Sequence, residues 1–152
     1  MTSAAELRDQ LVGLVDIRCM DPLEILLQDA SSVAALRARI RTEAEVWTRE
    51  MLTADDDTAL GVIMRVVAAL FPGDEPFDPP VDWWRTPMGQ VTARRVGHPT
   101  AVRVSYPVAG AMLGISKQGV HDLISRGKLA RHPDGGVVPA SIRDRLRQQH
   151  HV

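Results

Sequence analysis

The stretch FPGDEPFDPPVD, Phe71 to Asp82, places four prolines and four acidic residues in twelve positions. Proline has a fixed φ and no backbone N–H, so neither a helix nor a sheet ladder runs through such a segment. A chain of 152 residues with this stretch near its middle is therefore divided, and the stretch itself reads as a semi-extended linker. The length suits one ordinary domain or two small ones, and 45% apolar residues is enough for packed cores.

Charge divides the chain at nearly the same place. Residues 1–84 hold 7 Arg and no Lys against 16 Asp and Glu, a balance of −9. Residues 85–152 hold 9 Arg and 2 Lys against Asp122, Asp134 and Asp144, a balance of +8, and all five histidines lie there too. A net charge of −1 thus conceals an acidic half and a basic half, a split that suits a polyanion partner for the second.

The acidic half reads as helices. Ser3 and Glu6 have capping-box spacing, and Leu7, Leu11, Leu14 and Val15 follow on one face. Asp21-Pro22 predicts a fresh helix start through Gln28, with proline at the first position, where its missing N–H costs nothing. Ser31 or Ser32 opens a longer helix striped by Val33, Leu36, Ile40, Ala44, Trp47 and Met51. Asp55-Asp56-Asp57 precedes a fourth helix, with Leu60, Ile63, Met64, Val67 and Leu70 apolar. Three carboxylates there suit the positive end of a helix dipole better than a metal. Residues 1–71 are expected to form an acidic bundle for oligomerisation or protein binding. In the join, Trp83-Trp84 leads to Thr86-Pro87, a cap and first turn for a connecting helix to about Val96. The tryptophan pair is read as packing, with a partner anchor as the rival.

The basic half holds the stretch GISKQGVHDLISRGKL, Gly114 to Leu129, which contains both lysines of the chain. Ser105 caps a short helix through Leu113 whose buried side is Val108, Ala109, Met112 and Leu113. Gly114 turns the chain, Ile115 plugs the angle and Ser116 caps a second helix with Val120, Leu123 and Ile124 inward. Two short helices about a glycine turn form a helix-turn-helix, whose second helix presents its first residues to base edges in the major groove. Here these are Lys117, Gln118 and His121. Gln118 suits adenine, and Lys117 suits guanine or phosphate. The Ser116 cap offers backbone amides to a phosphate, and Arg126 and Lys128 are further phosphate contacts. Gly119 stands oddly inside the helix, a cost of on the order of 1 kcal/mol relative to Ala. Beyond it, Asp134-Gly135-Gly136 between two short runs has the chemistry of a tight hairpin, and Ser141 to Gln148 reads as a helix with Arg143, Arg145 and Arg147 on a basic side.

This order of parts resembles the winged helix-turn-helix of the MerR and phage-excisionase type, including small BldC-like regulators. The matching residues are Leu113-Gly114, Ile115, Ser116, Lys117 to Ser125, Gly127-Lys128-Leu129, Ala130 to Pro139, and Ala140 to about Gln149. The resemblance covers about residues 102–149 and implies a two-stranded wing on which Arg131 and His132 reach the DNA backbone or minor groove. The chain departs from the family in having no basic residue at the wing tip and no long dimerising helix after it. Symmetric dimers would then use residues 1–71, or binding would be in tandem.

The fold class expected is mainly α: a helical bundle over 1–71, a Pro-rich linker with a connecting helix over 72–100, and a C-terminal winged helix-turn-helix with a small two-stranded hairpin over 101–152. The function expected is a sequence-specific double-stranded DNA-binding protein, a transcriptional regulator. The alternatives are an excisionase-like or plasmid-maintenance factor, and an antitoxin or adaptor whose bundle binds a protein. No phosphate loop, nucleophile elbow or paired carboxylates point to an enzyme, and no cofactor or metal is expected; His150-His151 reads as a frayed end. Cys19 alone makes no internal disulfide. With no leader pattern and no long apolar run, a cytoplasmic, nucleoid-associated protein without a membrane contact is expected.

Overall fold

The structure, a computed structural model, describes residues 2–149; His150 and His151 lie outside the described residues. The chain divides into two units, between Pro72 and Gly73.

In the first unit, Ser3 caps α1 (Ala4–Val15): its N–H donates to Glu6 Oε2 and its Oγ accepts from Glu6 N, both at 3.1 Å. The helical path does not stop at Val15. It passes through a π-helical turn (Asp16–Met20) into α2 (Asp21–Leu27) with right-handed backbone throughout. The helix start expected at Asp21 is thus a continuation. Pro22 accounts for the widened turn, because its ring would collide with the carbonyl four residues back in a regular helix. Gln28, in the left-handed region at φ 54°, ends α2.

Asp29 rather than a serine caps α3 (Ala30–Thr53), accepting from Ser31 N at 3.1 Å and Ser31 Oγ at 2.7 Å. The Ser32 hydroxyl, which donates to the other carboxylate oxygen, and that of Ser31 hold the Asp29 carboxyl below its ordinary range. Asp55 caps α4 (Asp56–Leu70) through Thr58 and is lowered for the same reason. α3 packs between α1 and α4. The apolar faces are rotated from the expected stripes. On α3 Val33, Ala44, Thr48 and Met51 are buried while Leu36 is exposed; on α4 Ala59, Val62 and Val66 join Ile63, Val67 and Leu70 inside, and Leu60 and Met64 face out. Arg18 closes the C-terminus of α4, donating to Leu70 O at 2.8 Å with its guanidinium 4.4 Å from the centre of the Phe71 ring.

The second unit takes in most of the expected linker. Phe77 packs edge-on against Trp83 at 5.2 Å, and Thr100 Oγ1 donates to Phe77 O. A 3-10 turn (Val81–Arg85) buries Trp84 and leaves Trp83 half-covered. Thr86 then caps α5 (Pro87–Arg95), with Pro87 in its first turn. α6 (Tyr106–Leu113), α7 (Lys117–Ser125) and α8 (Pro139–Gln148) complete the unit around Trp84, Met112, Val120, Leu129, Val137 and Ile142.

The mainly α expectation holds, but the two-stranded hairpin does not form. Among the described residues, the segment from Ala130 to Pro139 makes only isolated antiparallel bridges, Arg131 to Val137 and Val104 to Val137. Val137 commits both backbone groups to Val104, at 3.0 and 2.9 Å, a residue in the loop before α6. Pro133 removes a donor on one side, and Pro139 starts α8 two residues after the bridge. Each pairing therefore stops after one residue, and no ladder can extend. The segment is a turn held by these two bridges.

Candidate nucleic-acid interface

α6 and α7 are the turn-joined pair. Ser105 caps α6 through Val108 N at 3.3 Å. Gly114 ends it at φ 72°, a conformation that costs glycine little and other residues more. Ile115 N donates to Gly110 O at 2.9 Å, which seats the Ile115 side chain against the core. Ser116 Oγ accepts from Gly119 N at 3.1 Å and starts α7. Val120 is buried, with Leu123 and Ile124 half-covered, so α7 is held by one face only. After it, Lys128 N donates to Leu123 O at 2.8 Å and Leu129 enters the core. Gly119 is explained locally. The nearest atoms to a Cβ there would be Ile115 Cδ1 at 3.3 Å, Ile115 Cβ at 3.4 Å and Ser116 Oγ at 3.5 Å. The absent side chain leaves room for the turn that sets α7.

Lys117, Gln118 and His121 are all exposed on the free side of α7. They differ in readiness. Lys117 has no ion pair among the described residues, Gln118 Nε2 donates to Asp122 Oδ1 at 3.3 Å, and His121 stands edge-on to Tyr106 with ring centres 4.5 Å apart. Asp122 sets a negative charge beside Gln118 and is the one carboxylate on this helix. Ser116 is exposed but its hydroxyl is engaged by the cap.

Arg126, Lys128 and Arg131 are exposed, and among the described residues no ion pair reaches them. His132 differs from the reading that makes it a DNA contact. Its Nδ1 accepts from Asp134 N at 3.1 Å and its side chain is only 20% exposed, so it builds the turn. Two of the three arginines on the basic side of α8 are likewise engaged. Arg147 donates from Nε to Arg94 O at 3.0 Å and from Nη2 to Arg95 O at 2.8 Å, closing the C-terminus of α5, while Arg143 pairs with Asp144 at 3.2 Å. Arg145, with Gly127, Lys128 and Ser141, lines an open cleft of about 260 Å³.

One basic residue was not singled out in the sequence. Arg103 is exposed and donates to Asp134 O at 2.7 Å, because the Val104–Val137 bridge brings its loop to the Asp134 turn. Its signal is weak: an Arg between two valines, outside the helix-turn-helix pattern. The unit boundary also revises the charge balance. Residues 73–152 carry 11 Lys and Arg against 7 Asp and Glu, a net +4, and residues 1–72 carry 7 Arg against 12, a net −5. The acidic residues of the Pro-rich stretch belong to the basic unit, and Asp82 there pairs with Arg85. Among the described residues no helix is long and apolar enough to cross a membrane, and no group of three or more metal-ligating side chains gathers. Comparison with known proteins finds no matching family model, no similar curated protein and no similar solved structure.

Proposed function

We propose that this chain binds double-stranded DNA through α7 and acts as a sequence-specific transcriptional regulator. The observation that carries the reading is the exposure of Lys117, Gln118 and His121 on one side of a helix whose other side, Val120 with Leu123 and Ile124, is packed in the core. A capped helix joined to its predecessor by a three-residue turn suits the major groove. Lys117 and Gln118 supply the donors and acceptors that distinguish base pairs there. Arg126, Lys128 and Arg131 add cations that have no carboxylate partner among the described residues, which suit phosphate and set affinity rather than sequence choice. Gln118 must leave Asp122 to meet a base, so the helix favours partners that offer it two hydrogen bonds in return.

Selection of bound duplexes from a random pool, followed by anisotropy titrations, tests this. Replacing Lys117 and Gln118 together by Ala is expected to erase preference for the selected sequence, a loss of about 1–3 kcal/mol of discrimination per base contact. Arg126→Ala or Lys128→Ala should instead weaken binding to every duplex and reduce the salt slope by about one. A wild-type protein with no preferred duplex, or a double variant that keeps the preference, sinks the reading.

A further inference from the structure

The buried line of the first helix runs Leu7, Leu11, Val15 and then Met20, so its spacing changes from four to five across the π-helical turn. Had four continued, Cys19, Leu23 and Leu27 would have lain on it. The shift instead brings Glu24 onto the line, and Glu24 is the one residue of α2 that is not exposed. Arg37 of α3 meets this polar side: it reaches Asp16 at 3.0 Å, Asp21 at 2.9 Å and Glu24 at 3.8 Å. α2 is therefore fastened by its charges, with its aliphatic side turned to solvent.

That side is large. Leu23, Leu26 and Leu27 share a face at helical spacing and are 37%, 78% and 58% exposed, Ile25 beside them is 73% exposed, and Ile17 in the preceding turn is 67% exposed. Together these side chains offer on the order of 550 Å² of apolar surface, close to the largest patches of typical monomers. One side of a standard homodimer interface buries about 800 Å², some 65% of it apolar, which is the same quantity.

We propose that α2 is the centre of a twofold interface between two copies of this chain. Charge favours a second copy over a basic partner segment. The first unit carries −5, yet Asp16, Asp21 and Glu24 are each paired with Arg37 of α3. Two copies then meet leucine to leucine with no carboxylates opposed, whereas a basic segment would find no anion at the middle of the patch. The face is self-complementary, as a twofold contact requires.

Sedimentation of the full chain over a range of concentrations tests the proposal, with circular dichroism to verify folding. The wild type is expected to be a dimer at micromolar concentration, and Leu26→Glu to weaken association about 100-fold or more while leaving the helical spectrum unchanged. Leu60→Glu, on the exposed side of α4, should leave the dimer intact. Mixing Leu26→Glu and Leu26→Arg chains should restore association, since a residue near the twofold axis meets its own copy. A wild type that stays monomeric at ~100 μM overturns the proposal, whether or not the patch then takes another protein or a lipid surface. So does a dimer that survives Leu26→Glu and yields to Leu60→Glu.

Discussion

His98 shows how much a single side chain can be committed by its surroundings. Its Nδ1 accepts from Thr100 N at 3.1 Å and Ala101 N at 2.9 Å, and its ring lies 5.2 Å from Trp84 and 6.1 Å from Phe77. Burial among these rings lowers its pKa below the ordinary 6.5, with Asp78 opposing weakly. A proton on Nδ1 would also cancel both hydrogen bonds. The unfolded chain therefore binds that proton more readily than the folded one, and stability present above pH 6.5 is lost as pH falls below it. Urea unfolding followed by tryptophan fluorescence should give a lower midpoint at about pH 5.5 than at about pH 7.5. His98→Asn, which keeps an acceptor and cannot be protonated, should remove most of that difference. An equal pH dependence in the variant would assign it elsewhere.

Among the elements, α5 and α8 are joined by a contact that the sequence presented as something else. Arg143, Arg145 and Arg147 alternate around Ile142 and Leu146, a pattern that suits an exposed basic helix. Arg147 instead binds the last carbonyls of α5, which have no partner within their own helix. Arg147→Ala is expected to destabilise the second unit by about 1–3 kcal/mol with little change in the salt slope of the proposed DNA binding. Arg126→Ala should do the reverse. Thermal and chemical unfolding of the two variants separates the roles, and a stable Arg147→Ala would place that side chain among the free cations. The helix starts at Ser3, Asp55, Thr86, Ser105 and Ser116 were legible because a cap acts on amides two or three residues away. The hairpin was not legible in the same way, because whether a strand extends depends on what lies beside it. Here Val137 found Val104, more than thirty residues earlier in the chain.

For the molecule as a whole, the Pro-rich stretch divides the chain more sharply than its length suggests. Only its first few residues lie between the units, since from Phe77 onward it packs on Trp83 and on the loop before α6. Asp74 and Glu75 are exposed and outside any helix. A protease that cuts on the amino side of aspartate, at low dose, is expected to cut first before Asp74 and to leave two resistant fragments, read by mass spectrometry. Early cutting within α1 to α4 instead would mean that the first unit is the weaker part.

The sequence by itself determined several of the helix starts, where the chain divides and which part carries the excess of cations, because capping, proline and charge act over a few residues. It also determined that α7 turns Gln118 away from Val120, a consequence of helical period. Only the tertiary structure decided which carboxylates and arginines remain free, and that α2 turns its leucines outward. Those outcomes depend on Arg37 meeting Asp16, Asp21 and Glu24, and on Arg147 meeting the end of α5. Partners so far apart in sequence are brought together by packing, and no local pattern records them.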